Sequence, residues 1–172
     1  EDMQQVCGSC HASGWVENWY QQFDNEVALY NDKFGRPATQ LYQMVRKAGL
    51  ISNDVDFDDK LEFTYYLLWH HEGRRARHGA AMMGPDYTQW HGNFEVAQRF
   101  YTEFVPELRD VLKKGLESGD PSKVQAARAA QAELDRVLKS DLHRWFQGGM
   151  TPAEREQRRK AAEEFKKRYA QQ

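Results

Sequence analysis

Aliphatic side chains are in short supply. Twelve leucines, one isoleucine and ten valines, with nine phenylalanines, make 32 of 172 residues. That falls below the roughly 20% at which a chain begins to lack the means for a core. Disorder does not follow, because the formal net charge is only −2 and aromatic residues reach 13%. The missing apolar area therefore points to a bound prosthetic group or to a large neighbouring subunit. No apolar run approaches the roughly 20 residues that cross a bilayer. No secretory leader is visible, so any such segment has been removed. With 24 basic and 26 acidic side chains, there is no excess charge for nucleic acid or an anionic membrane. There is no internal repeat and no long linker, and the length suits one domain or a domain with a helical extension.

Strand-like alternation is almost as scarce, while helical spacing is common. Residues 15–34 read as a helix ended by Gly35 and Pro37, and 37–48 as a shorter one stopped by Gly49. A polar loop, 52–59, leads into a helix over 59–78. Pro85 then opens another. There Tyr87, Trp90, His91, Phe94, Ala97, Tyr101, Phe104 and Leu108 recur every three or four residues and predict one apolar, aromatic face, kinked or restarted at Pro106. After the turn at 117–122 a helix of about 25 residues is expected to reach Phe146, and "TPAE" at 151–154 is a capping box for the last, charged helix. The expected fold is all-α, with helices packed around a prosthetic group and long antiparallel C-terminal helices. The expected division is 1–116 and 117–172.

The chemistry begins at "CGSCH", residues 7–11. Two cysteines separated by two residues and followed at once by histidine form the attachment pattern of a c-type haem. Cys7 and Cys10 would form thioethers with the vinyl groups, and His11 would take the iron from the proximal side. A zinc site would need more ligands, and no second cysteine pair exists. A thioredoxin-like pair would need a preceding strand. Attachment takes place outside the cytoplasm, so the motif predicts an exported, periplasmic-type location.

Five more histidines remain: His70, His71, His78, His91 and His143. One six-coordinate haem needs only one of them. The first four fall within 22 residues and read either as surface or capping side chains or as iron ligands, for this haem or for haems on other polypeptide. His143, beside Asp141 and Arg144, reads as surface. Arg74, Arg75 and Arg77 could pair with haem propionates or line a solvated helix face. Tyr87 and Trp90, at the mouth of a turn, fit core packing by their spacing.

The block "HHEGRRARHGAAMMGPDYTQWHG", residues 70–92, resembles the octahaem hydroxylamine oxidoreductase family, and residues 1–172 are similar to the C-terminal third of such a protein. The resemblance implies an exported, mostly helical and usually trimeric multihaem cytochrome. It would relay electrons in the oxidation of hydroxylamine or hydrazine, or in the reduction of nitrite. It also implies that Tyr87 matches the tyrosine that, in oxidising members, is bonded to a neighbouring subunit's catalytic haem. This chain departs from the family in carrying one attachment motif rather than eight. The catalytic haem and the others would then lie on partner multihaem subunits or on further polypeptide.

Three functions follow as expectations. The chain could be a haem subunit or C-terminal fragment of such an oxidoreductase, meeting a redox partner protein and a small nitrogen substrate. It could be a stand-alone monohaem carrier, with Met82 or Met83 as the sixth ligand. It could be a structural subunit stapled by haem.

Overall fold

The computed structural model describes residues 2–169, and every regular element among them is helical. No helix among the described residues is long and apolar enough to cross a membrane. The chain divides at Leu134/Asp135 into two compact units. The first contains α1 (Asp2–Gly8), α2 (Ser13–Tyr30), α3 (Arg36–Lys47), α4 (Lys60–Tyr66), α5 (Gly73–Ala81), α6 (Pro85–Thr88), α7 (Glu95–Arg99), α8 (Val105–Leu116) and most of α9 (Pro121–Leu138).

Four π-helical turns, Asn31–Gly35, Leu67–Glu72, Gln89–Phe94 and Phe100–Phe104, join these pieces into longer rods. Gly35 therefore does not end a helix, contrary to the sequence reading. The Arg36 N–H reaches back to the Asn31 carbonyl, one residue further than in an α-helix, immediately before Pro37. Proline lacks an N–H, and its ring crowds the carbonyl four residues earlier; a wide turn just ahead of it relieves both. Pro106 repeats the device, because Val105 N–H bonds the Phe100 carbonyl.

Gly49 stops α3 as expected. It lies at φ 61°, Gly49 N–H bonds Arg46 O at 3.1 Å and Leu50 N–H bonds Val45 O at 3.0 Å. This is a Schellman closure.

The aromatic face expected along 87–108 is not continuous. Val96, Phe100, Phe104 and Leu108 are buried, with Leu112 one turn further, whereas Tyr87, Trp90 and Phe94 are exposed. A strict four-residue repeat drifts by about 40° per step on a helix of 3.6 residues per turn. The wide turn at Phe100–Phe104 takes up part of that drift, and the one at Gln89–Phe94 puts the earlier aromatics out of phase with the core. Phe100 meets Phe34 edge-on at 5.3 Å and stacks on Phe104 at 5.7 Å. Leu41, Val45, Leu61 and Leu68 are also buried.

Small residues on α5 set the closest helix approaches. A Cβ on Gly73 would lie 2.4 Å from the Tyr30 ring. One on Gly79 would lie 2.7 Å from Thr88 N, and one on Gly92 would lie 2.5 Å from Ala76 Cα. The last contact is backbone, which cannot swing aside. Gly92→Ala is therefore expected to cost about 1–3 kcal/mol, read as a lower urea midpoint with unchanged slope.

The second unit contains the 3₁₀ turn Asp141–His143, α10 (Arg144–Gln147) and α11 (Pro152–Tyr169). α9 stops at Leu138 rather than running to Phe146. Ser140 is extended, its hydroxyl donating to Val137 O at 2.7 Å, a side-chain bond that competes with helix continuation. His143, expected at the surface, is buried. The capping box at the start of α11 forms: Thr151 N–H donates to Glu154 Oε2 at 2.8 Å, and Glu154 N–H to Thr151 Oγ at 3.3 Å. The Thr151 N–H and the Thr151 hydroxyl, which donates to the same Oε2 at 2.9 Å, ahead of the charge of Arg144, hold the Glu154 carboxyl below its usual range.

Candidate functional site

The first cluster is the N-terminal motif. After α1, the Cys10 and His11 N–H groups both return to the Cys7 carbonyl, at 3.2 and 2.9 Å. One tight turn thus gathers all three residues. Neither cysteine is in a disulfide; Cys7 is partly exposed and Cys10 exposed. The exposed His11 ring stacks on Trp15 at 4.3 Å. No residue of α1 is buried. Two free thiols and an accessible imidazole on one turn suit a covalently attached haem, whose attachment needs free thiols.

The second cluster is a concave site of about 440 Å³ lined by His70, His71, Arg74, Arg75, His78, Met82 and Tyr87, with Gly79 and Gly84. His70 and His71 are adjacent in sequence, so a regular α-helix would aim them about 100° apart. They lie on the π turn Leu67–Glu72, their rings 5.5 Å apart. His78 comes from α5 and Tyr87 from α6. The two helices are held together by the Gly79–Thr88 approach. The turn between them closes with Gly84 N–H on Gly79 O at 2.8 Å and Met83 at φ 54°, a left-handed position that glycine usually fills.

Tyr66 stacks beneath His70 at 4.5 Å. Arg74 Nη1 lies 3.1 Å from His70 Nε2. Guanidinium can only donate, so this nitrogen accepts and the proton belongs on Nδ1. Nδ1 is shielded from solvent and has no hydrogen-bond partner among the described residues. Burial, then the charge of Arg74, then His71, hold the His70 imidazolium below its usual range. At neutral pH His70 is thus an uncharged ring with a lone pair, the form that binds a metal.

The other expected site residues are placed differently. His91 sits outside this lining. Its Nδ1 pairs with Glu95 at 3.1 Å, and its ring is 5.6 Å from Tyr87. Glu95 also accepts from Arg75 at 3.0 Å, so one carboxylate anchors both. Arg77 faces away: its guanidinium lies 4.4 Å over the Tyr30 ring, and its Nε donates to Gly73 O. Tyr87 and Trp90 are 59% and 64% exposed, so neither packs in the core. Sequence reading missed Glu95 and Tyr66. The four-residue spacings His91–Glu95 and Tyr66–His70 were the available signals.

Among the described residues no three His, Cys, Asp or Glu side chains converge as a metal cage; a haem iron asks for only one side chain at each axial position. No family model, curated protein or solved structure matches the chain.

Proposed function

We propose that this chain is a c-type haem subunit, or the C-terminal part, of a multihaem oxidoreductase similar to the hydroxylamine oxidoreductase family. It relays electrons in the redox chemistry of small nitrogen compounds and works in an exported, trimer-based assembly with further haems on partner polypeptide. One observation carries the reading. Residues 70–87, the core of the block that resembles the family, fold into a single open concavity of three histidines, two arginines and a tyrosine. It lies in a chain that also bears CGSCH.

In this reading Cys7 and Cys10 hold the porphyrin and His11 its iron. Haem, when bound, supplies one-electron transfer. His70, His71, His78 and His91 are the candidates for an iron outside the CGSCH turn; the lone pair of neutral His70, on Nε2, accepts from Arg74, so that guanidinium would have to turn away for His70 to serve. Arg74 is more exposed than Arg75, whose charge Glu95 already meets, so Arg74 is the better propionate partner. Tyr87, exposed at the rim, is placed to be reached by another subunit.

The test is the denatured intact mass of the chain from its native source. The chain plus one haem is expected. A chain that stays joined to a haem-bearing partner after denaturation would add a covalent bridge, which Tyr87→Phe should release. A bare chain would overturn the reading.

A further inference from the structure

A separate cavity, of about 540 Å³, is walled by α3, α4 and α5, with Tyr30, Thr39, Gln43, Tyr65, Trp69 and Arg77 in its lining. It shares no residue with the histidine concavity. Two guanidinium groups line it, Arg36 and Arg77, and no carboxylate does. Arg36 is already met by Asp32, one turn earlier. The Trp69 indole, 39% exposed, forms an open aromatic wall. The hydroxyls are spent on the protein: Thr39 donates to Gly35 O at 2.8 Å, which leaves the Tyr65 O–H to donate to Thr39 Oγ at 2.9 Å.

Arg77 is the unusual member. Its guanidinium lies 4.4 Å over the Tyr30 ring, and its Nε donates to Gly73 O at 3.0 Å, so the group is held in place. Burial pushes the Tyr30 phenol up to about 12. Tyr30 is therefore uncharged at neutral pH and offers its ring face but no countercharge. No carboxylate among the described residues pairs with Arg77, and Nη1 and Nη2 have no hydrogen-bond partner there. Neither nitrogen is shut off from solvent, so a molecule in the cavity can reach both. A half-buried cation with open donors and no anion is incompletely satisfied. Its two free nitrogens form a planar fork that matches the two oxygens of a carboxylate.

We propose that this cavity binds a small aromatic carboxylic acid in its ionised form. The carboxylate accepts from Arg77 Nη1 and Nη2, end-on because Nε is engaged by Gly73 O, and the aromatic body rests against the Trp69 indole. One unmatched guanidinium balances one negative charge, which favours a carboxylate over a doubly charged phosphate. The proposal stands apart from the haem reading, since the cavity includes no residue of the CGSCH turn or of the histidine concavity.

The test is ligand-observed saturation-transfer NMR on the full chain with three probes: benzoate, its neutral isostere benzamide, and acetate, which has the charge without the ring. Benzoate is expected to bind saturably, with the other two about tenfold weaker or worse, the scale of one charge-assisted hydrogen bond. Arg77→Gln should abolish the preference for benzoate over benzamide, and Arg74→Gln, in the histidine concavity, should leave it unchanged. Trp69→Leu should weaken benzoate about threefold while leaving the preference in place. Circular dichroism checks that each variant is folded. Should Arg77→Gln fail to fold, Trp69→Leu and Arg74→Gln decide the matter, because the first must weaken benzoate and the second must not. Four results would overturn the proposal. They are no saturable benzoate binding; benzamide or acetate binding as tightly as benzoate; a preference that survives Arg77→Gln or binding undiminished in Trp69→Leu; or a preference lost in Arg74→Gln, which would put the anion in the histidine concavity instead.

Discussion

Haem staining should disappear from denaturing gels when Cys7 and Cys10 are both replaced by alanine, and the visible spectrum of the purified chain should be lost with it. A single replacement leaves one thioether and should reduce the signal without removing it. The size of the effect follows from how the motif is built. The three residues share one turn closed on the Cys7 carbonyl, and α1 contributes no buried side chain. If haem is held there as proposed, covalent bonding rather than packing of α1 would have to retain it. The same fact supplies the control. In haem-free chain the double substitution touches no core contact and should change stability by no more than about 0.5 kcal/mol. Staining that survives in the double variant would remove Cys7 and Cys10 as the points of attachment.

Phe100→Ala should be the most damaging single change to the fold. Phe100 is fully buried between Phe34 and Phe104. Truncating a ring in such a place costs about 3–5 kcal/mol, a large share of the roughly 5–15 kcal/mol that holds a domain together. Urea unfolding followed by circular dichroism measures it. Phe94→Ala, six residues earlier on an exposed face, should stay within about 0.5 kcal/mol. Equal losses at the two positions would mean that the two rings are not divided between core and surface as described.

Much of this fold could be read in advance, and most of what could not traces to the wide turns. Gly49 and the Thr151–Glu154 box were legible because caps are local: the residues that make them lie within a few positions of one another. Apolar spacing announced helices throughout. It could not announce the wide turns, because a π turn leaves the composition of a segment intact and changes only its phase. Hence Gly35 read as a stop, and Tyr87, Trp90 and Phe94 read as continuous with Phe104 and Leu108. His143 misled for the opposite reason. Its charged sequence neighbours suggested solvent, while its burial is set after α9 has already ended at Leu138. In the candidate site, the density of histidines and arginines singled out His70, His71, His78, Arg74 and Arg75. Which of them share a wall depended on the turn at Leu67–Glu72, and spacing alone did not separate Arg77 from Arg74 and Arg75.

The close approaches at Gly79 and Gly92 separate what holds the histidine concavity from what fills it. Its frame is fixed where backbone meets backbone, at Thr88 N and Ala76 Cα. His71, Arg74, His78, Met82 and Tyr87 hang exposed from that frame and bear little of its weight. Such a wall can exchange its side chains one by one without refolding. A lineage carrying this scaffold could therefore change what the concavity holds long before it changed shape, so descendants would keep the glycines while their histidines came and went.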